Sequence, residues 1–201
     1  MMEPNNAQMA RENLLYIRKT LEAAGQLTAI PGKGLMAAGF LALLASAFNA
    51  FVTGVPWSSS PYPRIALAAW GVVLIASVGI IAYGIYRKSL KMCTPISPAL
   101  LRKLFWSLNP ALFVGALFTA LALKSDSLDW IPVIWLGCYG AAIASGGQLS
   151  VAPVRYMGLC FLLSALGAAI SSPEAGLAWL AISFGWLHLV FGLYIARRHN
   201  G

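Results

Sequence analysis

The sequence predicts an all-α, polytopic membrane protein: six transmembrane helices arranged as three in–out–in hairpins and preceded by a cytoplasmic amphipathic helix. Three observations predict it. The 201 residues are 59% hydrophobic and 10% charged, with a mean hydropathy of +0.74, whereas a soluble domain carries about 25% charged residues to face water. Six apolar runs each hold about 20 residues, which at about 1.5 Å per residue crosses a hydrocarbon core of about 30 Å. Basic residues crowd alternate connections. Barrel strands would be about half as long and would alternate in polarity, which these runs do not.

Residues 1–32 form a cytoplasmic leader. After the polar stretch 1–7, a helix is expected over 8–25, because Ala10, Leu14, Ile17, Leu21 and Ala24 recur at spacings of four and three, a heptad-like seam. Glu22 can reach Arg18 or Lys19 on the polar surface, and such pairs contribute a few tenths of a kcal/mol. Gly25 ends the helix and "TAIPGKG" turns the chain into the first span. Three readings compete for this seam: it lies on the inner leaflet, it closes the bundle from below, or it docks a helix of another protein. The candidate partner-binding residues are Leu14, Ile17 and Leu21.

The transmembrane domain covers 33–196, with spans expected near Lys33–Gly54, Arg64–Tyr86, Leu100–Leu123, Trp130–Ser150, Pro153–Ser171 and Ala175–Ala196, and 197–201 form a cytoplasmic tail. Ser97-Pro98 marks the start of the third helix. With the N-terminus inside, the inner regions hold Arg11, Arg18, Lys19, Lys33, Arg87, Lys88, Lys91, Arg102, Lys103, Arg155, Arg197 and Arg198. The outer side holds Arg64 and Lys124, beside the acids Asp126, Asp129 and Glu174. This positive-inside bias places both termini in the cytoplasm. It also accounts for the net charge of +8 without a nucleic-acid partner. "LASAFNA" contains a signal-peptidase-like site, but the organised segment ahead of it is long for an n-region. The second and sixth spans end alike, in "AYGIYRK" and "VFGLYIARR". That likeness suits either duplicated hairpins or a generic basic anchor.

Small residues form ladders at spacing four: Gly34, Ala38, Ala42, Ser46 and Ala50 in the first span, Gly137, Ala141 and Ser145 in the fourth, Cys160, Ser164, Ala168 and Ser172 in the fifth. Lipid gives helices no hydrophobic drive to associate, so close backbone approach along such stripes holds them together. Internal packing is the plain reading, and a homo-oligomer seam the other.

No Asp, Glu, Lys or Arg falls near an expected midplane. Proton relays, ion-coupled transporters and intramembrane acid–base enzymes keep such residues there, so no enzymatic activity is expected. The polar residues that remain are His188 in the sixth span, Asn109 in the third and Gln148 at the inner end of the fourth. All three fall in the inner half, where they would form a ligand-binding pocket opening to the cytoplasm. Pro110 would free the Trp106 carbonyl beside them. The plain alternative is interhelical hydrogen bonding, worth about 1 kcal/mol each; Asn49 reads the same way. Neither cofactor nor metal is expected. The three cysteines include no C-x-x-C, and haem would want a second intramembrane ligand, whereas His199 lies in the tail.

The run "ENLLYIRKTLEAAGQLTAIPGKG", residues 12–34, resembles the leader of small multi-span bacterial inner-membrane proteins. The resemblance implies that membrane and, since no activity is assigned to the group, no site residues. Two functions follow as expectations. The first is an interaction or complex-subunit protein that binds a partner through its N-terminal helix and basic loops. The second is a permease or channel-like protein for an uncharged or lipidic solute.

Overall fold

The computed structural model describes residues 8–9, 12–13, 27, 29–53, 63–91 and 97–198. The helices are α1 (Gly32–Thr53), α2 (Pro63–Lys91), α3 (Pro98–Lys124), α4 (Ile131–Gly146), α5 (Ala152–Ile170) and α6, which runs over Pro173–Arg198. All six are long and apolar enough to span a membrane, α4 with its flanking 3-10 turns. Leu14, Ile17 and Leu21 lie outside the described residues.

Local chemistry sets the helix ends. Pro98 occupies the first turn of α3, where no N–H partner is needed, and the Leu100 N–H donates to Ser97 Oγ at 3.1 Å. At the other end the chain turns into α4 through Asp126, whose φ of 53° is left-handed. The Ser125 N–H caps the Leu121 carbonyl and the Ser127 N–H caps that of Ala122, each at 2.9 Å. Inside α6 the turns widen to a π-helix over Ala181–Leu187, and a stretch of this kind displaces side chains from ordinary helical register.

Two close helix pairs make the core. Along α1 and α6, a β-carbon at Gly39 would lie 2.7 Å from the Gly185 carbonyl oxygen, and one at Gly192 would lie 2.8 Å from that of Gly32. Along α4 and α5, a β-carbon at Gly140 would lie 2.9 Å from the Leu162 nitrogen, and Gly158 meets the backbone of Ala144. Backbones in contact gain dispersion along their length, which is what associates helices in lipid. Of the expected ladders, Ser164 and Ala168 of α5 are buried in the bundle and Gly137 faces Ala165 of α5, while other members stand beside these seams. Ala38 and Ala42 face a cavity on the α2 side, and Ala141 and Ser145 are exposed, with Ser145 hydrogen-bonded to Ser107 of α3 at 2.8 Å.

The other two helices are flanks. α2 packs chiefly on α1 and α3 chiefly on α4, with no substantial contact between α2 and α3.

The ends of the helices that carry most of the basic residues are tied together by the segment before α1. The Leu27 N–H donates to the Leu149 carbonyl at 2.6 Å, Ser150 Oγ donates to the Leu27 carbonyl at 3.0 Å, and Lys88 Nζ donates to the Ile30 carbonyl at 2.8 Å. Leu27 and Ile30 pack with Leu35, Leu100, Val151 and Ile195 into an apolar cluster. It draws on α1, α3, α6 and the residue that precedes α5, with Ile81 and Ile85 of α2 packed against it.

Candidate functional site

A cavity of about 290 Å³ lies where the flanking helices stand apart. Its longest wall is α2, from Leu67 through Trp70, Leu74 and Ser77 to Ile81. At about 1.5 Å per residue this wall is about 21 Å long, two-thirds of a hydrocarbon core. α1 contributes Ala38 and Ala42, α3 Thr119 and Leu123, α4 Ile131, Trp135 and Tyr139, and α6 Leu180, Phe184 and His188. Leu74 and Val78 of α2 and Leu123 of α3 are also exposed on the outer surface of the bundle. The cavity therefore meets the bundle's apolar exterior. Among the described residues no charged side chain lines it.

Its two ends differ. Leu67 and Leu123 also line a second hollow, with Arg64, Asp126 and Leu128, at the end of the bundle away from the basic cluster. At the other end Ile81 joins the cavity wall to the cluster around Leu27 and Ile30. The cavity thus adjoins a hollow with a charged rim at one end and is stopped by packed side chains at the other.

Tyr139 and His188 stand near the stopped end, about 12 Å along their helices from Ile131 and Leu180. The Tyr139 hydroxyl and His188 Nε2 are 2.7 Å apart, and His188 is 4% exposed. The pair is held by rings. Phe184 stacks on His188 at 6.1 Å with planes 12° apart, Phe161 lies 4.8 Å from Tyr139 and 5.4 Å from His188, and Trp70 meets Phe184 edge-on at 5.9 Å. Gly39 gives the imidazole its room, since a β-carbon there would lie 3.0 Å from His188 Cβ.

The widened turn of α6 shapes the surroundings of the imidazole. His188 Nδ1 is buried there without a well-aligned partner. Ser183 Oγ and Trp70 Nε1 are also buried without a well-aligned partner. Three such atoms around Phe184 are notable, because buried polar groups are ordinarily satisfied.

Of the three residues expected to form a pocket, the structure brings only His188 to the cavity. Asn109 Nδ2 donates to the Phe105 carbonyl of its own helix at 2.9 Å, and Gln148 is exposed in the 3-10 turn after α4. Neither lines the cavity. Tyr139, Trp70 and Gly39 were not expected. A signal for Tyr139 was available: membrane tyrosines favour the headgroup belts, and this one sits in the middle of the span Leu128–Leu149.

Among the described residues no group of three or more His, Cys, Asp or Glu could hold a metal ion. The arrangement can accept an uncharged, elongated molecule and offer it aromatic walls and one buried hydrogen-bonding pair. No protein family, curated protein or solved structure matches the chain.

Proposed function

We propose that the protein binds an uncharged, lipidic solute within the membrane, as part of a permease-like or carrier activity and not as an enzyme. The cavity carries this reading: it is elongated, free of charged side chains among the described residues, in contact with the bundle's apolar exterior and equipped with a hydrogen-bonded Tyr139–His188 pair. An ionised solute would lose its hydration there with no opposite charge to replace it. The solute reaches the cavity between α2 and α3 from the bilayer, and the basic end is the cytoplasmic one by the positive-inside rule. That topology gives three in–out–in hairpins with both termini in the cytoplasm of a bacterial inner membrane.

A second reading has its own support. The bonds at Leu27 and Ile30 fix the chain just before α1 to the basic end of the bundle, and the candidate partner-binding residues Leu14, Ile17 and Leu21 precede it in sequence.

The test is purification of the whole chain from native membranes, followed by identification of the lipids it retains, beside Gly71→Leu. Gly71 lines the cavity, and a β-carbon there meets nothing within 4 Å, so leucine fills the space without disturbing the helices. An uncharged lipid enriched by the wild type and lost in the variant is the expected outcome. Two identical profiles that match the bulk membrane would reject the solute reading and leave the partner reading standing.

A further inference from the structure

Provided that the cavity binds a lipidic solute as proposed, its two ends decide which way round that solute lies. At the stopped end Tyr139 and His188 bond each other at 2.7 Å among aromatic rings, so this end asks for no polar group from a solute. A polar head would have to pass about 21 Å of almost wholly apolar wall to reach it, and would lose its hydration on the way. The other end holds charge. Arg64 opens the stripe of α2 that Leu67, Gly71 and Leu74 continue at helical spacings of three and four. Asp126 stands in the turn after α3, three residues past Leu123. Both charged residues are exposed, and both line a hollow of about 550 Å³ that shares Leu67 and Leu123 with the cavity. Among the described residues no ion pair joins them. By the positive-inside rule this end lies at the level of the outer headgroups.

We infer that the cavity takes one hydrocarbon chain of a zwitterionic phospholipid, with the tail toward Tyr139 and the head in the hollow, its phosphate against Arg64 and its ammonium against Asp126. The charges of such a head cancel, so the solute carries no net charge while each of its ions meets an opposite one. The chain enters sideways between α2 and α3, where Leu74, Val78 and Leu123 are exposed, and the head never crosses the apolar wall. In a diacyl lipid the second chain remains in the bilayer through the same opening. An anionic head would satisfy Arg64 but set like charge against Asp126, and a cationic head would do the reverse. A head carrying only hydroxyls would gain neither contact.

The experiment is a lipid titration of the full chain in dodecyl maltoside micelles, read by native mass spectrometry. Three probes share one palmitoyl tail: lysophosphatidylethanolamine, lysophosphatidylglycerol and monopalmitoylglycerol. The zwitterion is expected to bind about tenfold more tightly than the uncharged glyceride, about threefold for each exposed charge contact. It should exceed the anion by a similar factor, because repulsion from Asp126 offsets the attraction to Arg64. Asp126→Asn keeps a residue that tolerates the left-handed turn and should bring the anion level with the zwitterion. Arg64→Gln should weaken both phosphate lipids about threefold and leave the glyceride unchanged. Gly71→Leu should weaken all three at least about tenfold by occupying the space of the chain. Dipalmitoyl phosphatidylethanolamine separates the sources. Binding as tight as that of the single-chain zwitterion identifies a bilayer phospholipid, and weaker binding confines the occupant to single-chain lipids. Equal wild-type affinities for the three probes, all lost in Gly71→Leu, would overturn the headgroup inference and leave the cavity as a chain site. A preference for the anion would overturn it too, as would a preference for the zwitterion that survives both charge variants. Affinities that Gly71→Leu does not change would overturn the solute reading as well.

Discussion

The most apolar helix of the bundle is among its least buried. The most apolar stretch of α2 has a mean hydropathy of 2.5 and is 6% buried, and that of α3 is also 6% buried, whereas α5, with a mean hydropathy of 1.5, is 44% buried. In water that order would be reversed. In a membrane, lipid is as good a neighbour as leucine, and apolarity is no reason for a helix to pack inward. What separates core from flank is the ability to bring backbones together. α1, α4, α5 and α6 carry Gly39, Gly140, Gly158 and Gly192 against opposing main chain, while a β-carbon at Gly71 or Gly79 of α2 meets nothing within 4 Å. The flanks accordingly lean on one neighbour each and leave the cavity between them.

That contrast breaks most visibly under leucine substitution. Gly158→Leu puts a side chain against the Ala144 backbone, where neither helix can yield without separating. A loss of about 3 kcal/mol or more is expected, at the upper end of what overpacking costs. Gly79→Leu should change stability by less than about 0.5 kcal/mol, as exposed positions do. Thermal unfolding of the two variants in the same detergent measures the difference. Equal losses would mean that α2 is held as tightly as the core.

A smaller effect tests a place where a flank is tied down. Lys88 is 8% exposed, and its ammonium reaches the Ile30 carbonyl at 2.8 Å, linking the end of α2 to the segment that closes the basic end. Lys88→Met keeps much of the stem and removes the donor, at an expected cost of about 1–2 kcal/mol for a charge-assisted bond. Limited proteolysis should cut the segment before α1 sooner in this variant, with the α4–α5 pair equally resistant in both proteins. Unchanged cutting would show that the apolar cluster around Leu27 suffices.

These differences explain which features could be read from the residues alone. Six spans follow from length and hydropathy, and the start of α3 follows from Ser97-Pro98, because each rests on a property of one segment. The seams depend on a partner. Gly34, Ala38 and Ala42 look as much like a packing stripe as Gly32 and Gly39 do, and only the position of α6 says which is used. The site divides similarly. His188 was legible because a lone imidazole inside a span is costly. Asn109 was equally conspicuous, but its amide bonds to the i−4 carbonyl of its own helix, a local solution open to any short polar side chain. Tyr139 is marked in the sequence only by its mid-span position, and its partner His188 is not readable from one segment.

The joint between flank and core offers the smallest test and the one that sharpens the comparison most. α3 ends at Lys124 and α4 begins within a few residues, with Asp126 at a φ of 53° between them. Aspartate tolerates the left-handed region better than most residues but still meets its own β-carbon there, and glycine does not. Asp126→Gly should therefore raise the unfolding temperature slightly, by about 0.5 kcal/mol in stability. Asp126→Val should lower it by about 1–2 kcal/mol, since a β-branched residue fits this φ poorly. A gain with glycine would mean that the bend from α3 to α4 persists without the carboxylate, so that the charge at the cavity's rim can be removed independently of the fold. A loss with glycine would mean instead that the carboxylate holds the joint. The spacing between α2 and α3, and with it the cavity, would then depend on a charged group at its mouth.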